Sequence, residues 1–141
     1  MSAIATFAIA YAATFLVFAA VDAAWLSQMG PALYKPVLGD MLAPSLRIAP
    51  AIAFYLILPI GIVVFAVSPA LKSGHLSDAV VHGLLFGAIA YATYDLTNYA
   101  TLKNWSLTIT VLDIVYGAVA SAAAATVAVL AVRTATRWIE A

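Results

Sequence analysis

Four long apolar stretches divide the chain, and each is long enough to cross a bilayer as a helix. They cover about residues 3–26, 48–71, 79–100 and 106–132. A transmembrane helix needs roughly 20 predominantly apolar residues to cross the hydrocarbon core. The pattern predicts an all-α integral membrane protein, with four transmembrane helices in one antiparallel bundle that forms a single domain over residues 1–141.

The connection after the first span is the longest, and it has a pattern of its own. Its apolar residues recur at helical spacing between polar ones; they are Tyr34, Val37, Leu38, Met41 and Leu42. This predicts a short amphipathic segment that lies in the membrane interface after helix 1. In the second span, Pro59 predicts a kink because a proline removes one backbone hydrogen bond from a helix.

Composition agrees with this assignment and narrows the chemistry. Hydrophobic residues make up 66% of the 141 residues and charged residues 9%, far below the roughly 25% typical of soluble domains. Six basic and six acidic residues cancel, so a nucleic-acid partner is not expected. The chain has no cysteine and no phosphate-loop or zinc-helix motif. We therefore expect no cofactor and no metal, and we expect the lipid bilayer as the main partner.

The end of the third span carries the most informative polar residues. Only sixteen uncharged residues, from Ala79 to Tyr94, precede Asp95. Because this is too short to cross, Asp95 and Asn98 must lie inside the membrane. An ionisable side chain there costs about 3 kcal/mol or more, so it faces protein or water and marks a candidate site.

The topology brings further charged residues to the same membrane face. Asp22 ends the first span, Asp113 begins the fourth, and Arg47 enters the second from that face. Gly83 and Gly87, four residues apart, predict a close approach of the third helix to a neighbour. The predicted ligand-binding residues are Asp22, Trp25, Arg47, Tyr55, Tyr91, Asp95, Asn98, Asp113 and Tyr116.

Three carboxylates in a low-dielectric site cannot all remain charged without compensation, which leaves several chemical possibilities. In the first, one acid holds and relays a proton; in the second, a cation binds between the acids and an aromatic ring. Alternatively, Arg47 pairs with one acid while the others act as acid and base. A purely structural role, in which the polar groups only hydrogen-bond across helices, is a further alternative.

We favour the binding, and passage, of a small polar or cationic ligand or protons over catalysis. One alternative is an intramembrane enzyme that acts on a lipid with Asp95 or Asp113 as the base, which would need a lateral opening beside the pocket. Another is an accessory subunit of a larger membrane complex, for which small residues of Ala118–Ala125 would face lipid. Four spans are few for a monomeric transporter, so the first interpretation predicts a homo-oligomer.

The even distribution of positive charge leaves orientation weakly determined. Three Lys and Arg residues lie at each face; Lys72, Arg133 and Arg137 favour both termini in the cytoplasm.

The chain also resembles an uncharacterised bacterial four-span inner-membrane family, domain of unknown function 2177. The residues that carry the resemblance are Asp22-Ala-Ala-Trp25-Leu26, Tyr34 with Leu38-Gly39, Phe54-Tyr55, FAVSPAL from Phe65, YATYDLTNYAT from Tyr91, Asp113 and Gly117. The resemblance covers nearly the whole chain. It implies four spans in a bacterial inner membrane, with the family motif at the residues already selected, and it implies no activity.

Overall fold

Four helical passes that run in alternate directions form the protein. The structure is a computed structural model and describes residues 1–140, apart from the side chain of Glu140. Each pass is long and apolar enough to cross a membrane. Over the described residues the chain is helical and forms no strand. The predicted fold class, an all-α bundle with four transmembrane helices, is therefore confirmed.

The second pass is an α-helix that a π-helical segment interrupts, whereas the first, third and fourth passes are continuous α-helices. The first pass is α1, Ala3–Met29, and the second is α3, Ile48–Ile62, followed by α4, Ser68–Ser73. The third is α5, Leu76–Thr101, and the fourth is α6, Leu107–Glu140. Each pass extends beyond at least one end of its predicted span, because polar residues next to an apolar stretch can also be helical.

The segment after α1 is helical, as predicted, but it continues α1 without a break. A π-helical turn, Gly30–Tyr34, leads into the short helix α2, Lys35–Leu38, and a 3-10 turn, Gly39–Met41. α2 ends where Gly39 adopts a φ of +49°, a conformation that residues with a Cβ disfavour. It is this segment that carries Tyr34 to the bundle.

The second pass changes its helical geometry after Pro59, which is buried inside α3. The residues Val63–Val67, which follow α3 directly, form a π-helical segment. Proline cannot donate a backbone hydrogen bond, and irregular helical geometry near such a residue is expected. The π-helical residues Val63, Ala66 and Val67 are buried, whereas Val64 and Phe65 are exposed, so one face of the irregular turn packs in the core.

α5 and α6 pack at backbone-to-backbone distance through their small residues. A Cβ added to Gly83 would lie 2.6 Å from Ala122 Cα, and one added to Gly87 would lie 2.7 Å from Ser121 Oγ. Both distances are shorter than any ordinary contact, so only glycine fits. The close approach predicted from Gly83 and Gly87 is confirmed.

The small residues of α6 face the bundle, which corrects one sequence-based expectation. Five residues within Ala118–Ala125 are buried: Ala120, Ser121, Ala122, Ala124 and Ala125. The lipid-facing stripe that would have suited an accessory subunit is therefore absent from this part of the described helix. The physical reason is that small side chains let α5 and α1 approach α6, so they are used for internal packing.

Candidate functional site

Asp22 is held by two tyrosines near the end of α1. Its side chain is 5% exposed. The hydroxyl of Tyr116 on α6 donates to Asp22 Oδ1 at 2.8 Å, and the hydroxyl of Tyr55 on α3 donates to Asp22 Oδ2. Each carboxylate oxygen thus accepts a hydrogen bond from a different helix. Both oxygens of this buried carboxylate therefore have the hydrogen-bond partners that buried polar atoms normally have.

Asp113 is held in a similar way by the segment that follows α1. It lies in the second turn of α6 and is 8% exposed. The hydroxyl of Tyr34 donates to Asp113 Oδ1 and accepts a hydrogen bond from Trp25 Nε1 at 2.9 Å. The chain of groups Trp25–Tyr34–Asp113 therefore joins α1, the π-helical turn and α6.

Aromatic stacking connects the two carboxylates. Trp25 stacks on Tyr116 with ring centroids 4.3 Å apart and an angle of 13° between the planes. Tyr91 meets Tyr116 edge to face at 5.9 Å. The ring of Tyr91 lies directly over Gly117, where a Cβ would collide with it. Asp22 and Asp113 are thus the two ends of one network of tyrosines and tryptophan.

A cavity of about 530 Å³ opens beside this network. Asp22 and Asp113 line it, and Lys35 lines it from the exposed side of α2. Six aromatic residues contribute to its wall: Trp25, Tyr34, Tyr91, Tyr94, Trp105 and Tyr116. We call this space the aromatic cavity. Its wall combines two carboxyl groups and one lysine with electron-rich ring faces.

Asp95 differs from the other two acids because its carboxyl group has no hydrogen-bond partner among the described residues. It is fully buried, and among the described residues neither of its carboxylate oxygens has a hydrogen-bond partner. It lines a second cavity of about 430 Å³, which we call the lateral cavity. Tyr91, Tyr94 and Asp113 line both cavities, so these three residues stand between them.

Seven of the nine predicted residues lie at the two cavities or are hydrogen-bonded to a residue that lines one. Asp22, Trp25, Tyr91, Asp113 and Tyr116 line the aromatic cavity. Asp95 lines only the lateral cavity. Tyr55 contacts the site through its hydrogen bond to Asp22.

The structure does not bring Arg47 or Asn98 to either cavity. Arg47 is the exposed residue before α3, and Asn98 is half-buried on α5, one turn beyond Asp95. In the described part of the chain, no arginine hydrogen-bonds to the three acids. The possibility that Arg47 neutralises one of them is thus not supported by this arrangement, because Arg47 is exposed and lines neither cavity.

Sequence reasoning missed Tyr34, Lys35, Tyr94 and Trp105 as lining residues. Tyr34 was assigned to the interfacial segment, where an aromatic residue is common for reasons unrelated to a site. The available signal was its presence among the residues that carry the family resemblance. Tyr94 and Trp105 contact each other edge to face at 5.7 Å, which no spacing rule predicts.

Comparison with known proteins places the chain in one family. The chain matches the family described as "Predicted membrane protein (DUF2177)" over residues 7–130, and it belongs to that family. The matched range includes every residue that lines the two cavities. No curated protein and no solved structure matches the chain.

Proposed function

We propose that this member of the DUF2177 family binds a small organic cation in the aromatic cavity. The observation that carries the proposal is the pairing of two buried carboxylates, Asp22 and Asp113, with six aromatic side chains around one space. Ring faces and carboxylates both attract a cation, and aromatic cages are the usual recognition site of quaternary ammonium groups. An anion would meet repulsion from both.

The hydrogen bonds support binding rather than packing alone. Asp22 receives two donors and Asp113 receives one, all of them neutral tyrosine hydroxyls. Neutral donors stabilise a carboxylate without cancelling its charge, so the network retains negative charge for a ligand. Lys35 lines the cavity from an exposed position, where its flexible side chain can move aside.

The size of the cavity favours a small molecule over a proton relay. At about 530 Å³ it falls within the range of roughly 300–1,000 Å³ that ligand pockets occupy. A relay needs only a chain of hydrogen bonds. We therefore propose that a compact ammonium ligand binds in the aromatic cavity. Protons would compete with this ligand for the same two carboxylates.

The orientation that we propose in the membrane rests on basic residues at the end of the bundle opposite the two cavities. Arg133 donates to the carbonyl of Gly74 at 2.9 Å, which places α6's basic end beside the turn that follows Lys72. Basic residues at membrane ends favour the cytoplasm. We propose a bacterial inner membrane with both termini in the cytoplasm and a homo-oligomer as the working assembly, because four spans alone enclose a limited path.

Tetramethylammonium titration of the protein in nanodiscs tests the proposal. Trp25 and Trp105 line the aromatic cavity, whereas Trp138 is 82% exposed in the tail. In a Trp138→Phe background, tryptophan fluorescence should therefore report on the cavity. We expect saturable quenching, with affinity lowered about tenfold or more in Asp113→Asn, since a buried charge-assisted contact contributes at least that much.

The exposed acid of the neighbouring segment gives a matched control. Asp40 is exposed and lines neither cavity, so Asp40→Asn should bind tetramethylammonium like the parent protein. Equal affinity in the Asp113→Asn and Asp40→Asn variants would reject the aromatic cavity as the site. Uptake of labelled tetramethylammonium into proteoliposomes distinguishes passage from binding: uptake that Asp113→Asn abolishes supports transport, and binding without uptake restricts the function to binding.

A further inference from the structure

The lateral cavity has a wall unlike that of the aromatic cavity. Phe54 and Leu58 of α3 form one side, and Ala90 and Tyr94 of α5 form the other. Phe54 is 40% exposed and Tyr94 60% exposed, so these side chains lie at the outer surface of the bundle. At this depth the outer surface faces lipid. The cavity is an apolar cleft between two transmembrane helices.

The most buried polar side chain that lines this cleft is Asp95, and Asp113 is the second acid in its wall. Asp95 is fully buried and, within residues 1–140, has no hydrogen-bond partner at either oxygen. A buried polar group normally has a partner, and each exception requires an explanation. The other two acids at this end of the bundle each receive tyrosine donors, so the isolation of Asp95 is specific to its position.

A largely apolar cleft that contains one acid without a hydrogen-bond partner has the composition of a binding site for an amphiphile. The acid can accept hydrogen bonds from an ammonium group, which supplies both the donors and the countercharge. The rings and aliphatic groups nearer the surface match an alkyl chain. A soluble cation would lose water along this apolar wall without compensation, whereas a molecule already dissolved in lipid would not.

We infer that the lateral cavity binds a primary amine with a long alkyl chain, which enters from the bilayer and places its ammonium group at Asp95. This site shares Tyr91, Tyr94 and Asp113 with the aromatic cavity. Its remaining lining residues belong to it alone, so the inference does not depend on the function proposed for the aromatic cavity. Asp95, Phe54, Leu58 and Ala90 line the lateral cavity alone. The natural ligand is either a free long-chain amine or the amine head group of a phospholipid.

Native mass spectrometry of the protein with dodecylamine tests the inference. We expect a dodecylamine adduct on the parent protein, and at most weak adducts with butylamine, which lacks the chain, or dodecanol, which lacks the charge. Asp95→Asn should weaken dodecylamine binding about tenfold or more, since hydrogen bonds to a charged group contribute at least one decade of affinity. Asp40→Asn, which changes an exposed acid that lines neither cavity, should leave it unchanged.

A second variant tests the cavity while leaving the acid in place. Ala90→Leu adds three carbon atoms to the wall of the lateral cavity and should weaken dodecylamine binding to a similar extent. Ile89→Phe is the matched control, because Ile89 is the adjacent residue, is 65% exposed and lines neither cavity. If Asp95→Asn prevents folding, the Ala90→Leu comparison decides the question by itself.

The outcomes separate the two ligand sources and the two proposals. Displacement of dodecylamine by dioleoylphosphatidylethanolamine would support a phospholipid head group, and its failure to compete would support a free amine. Dodecylamine binding that survives both Asp95→Asn and Ala90→Leu, or its absence from the parent protein, would overturn the inference. Neither result alters the expected binding of tetramethylammonium in the aromatic cavity, which Asp22 and Asp113 line.

Discussion

The close packing of α5 against α6 leads to a quantitative prediction for Gly87→Ala. A Cβ at Gly87 would lie 2.7 Å from both Ser121 Oγ and the carbonyl carbon of Gly117, and nearer still to the carbonyl oxygen of Gly117. Ordinary contacts begin at 3.4 Å, so the two helices must separate by about 0.7 Å or more. Because the opposing atoms belong mainly to the backbone, rotation of a side chain cannot relieve the contact.

The expected cost follows from two opposing effects. Overpacking of this kind costs about 1–3 kcal/mol. We place the cost near the upper end of this range, because the atoms that the new Cβ would meet belong mainly to the backbone. Replacing glycine by alanine inside a helix returns up to about 1 kcal/mol of helix propensity. We therefore expect Gly87→Ala to lower the free energy of unfolding by about 1–2 kcal/mol. Tetramethylammonium affinity should fall as well, because α5 carries Tyr91 and α6 carries Tyr116.

Unfolding in detergent, followed by tryptophan fluorescence, measures this effect. Gly30→Ala is the matched control, because a Cβ there would have no atom within 4 Å and the φ of −53° suits any residue. The control should be as stable as the parent protein or slightly more stable. If Gly87→Ala were as stable as Gly30→Ala, the α5–α6 contact would be looser than the structure shows, and the packing explanation for both glycines would be refuted.

Three further substitutions have expected outcomes in the same unfolding measurement. Tyr116→Phe removes the donor to Asp22 Oδ1 but keeps the ring, and should cost about 1–3 kcal/mol because a buried acceptor loses its partner. Asp95→Leu should stabilise the protein by about 1–3 kcal/mol, because it removes an unsatisfied buried carboxyl. Gly61→Ala should cost less than Gly87→Ala, because its Cβ meets only the ring of Phe86, which can turn.

Each of these predictions has a result that would contradict it, and Tyr116→Phe also has a matched control. Tyr99→Phe changes an exposed tyrosine on α5 and should leave the free energy of unfolding unchanged. If Tyr116→Phe also left it unchanged, the hydroxyl of Tyr116 would contribute nothing to stability. A loss of stability in Asp95→Leu would mean that the carboxyl of Asp95 is satisfied in the membrane. A larger loss in Gly61→Ala than in Gly87→Ala would contradict the distinction between side-chain and backbone contacts.

The sequence alone determined the spans and the membrane face of the acids. Crossing hydrocarbon demands a certain length of apolar residues, which is a local property and can be read from hydropathy. Once four spans alternate in direction, Asp22, Asp95 and Asp113 must lie at one end of the bundle. The glycine spacing on α5 likewise predicted close packing, because residues four apart share a helix face.

Only the tertiary structure decided which partners these acids have. Asp22, Asp95 and Asp113 look alike in sequence, yet two receive tyrosine hydroxyls and one receives none. The difference depends on the rotation of each helix about its axis and on how the helical segment after α1 positions Tyr34 beside Asp113. Those quantities arise from contacts between residues far apart in the chain, 79 positions apart for Tyr34 and Asp113, so no local pattern encodes them.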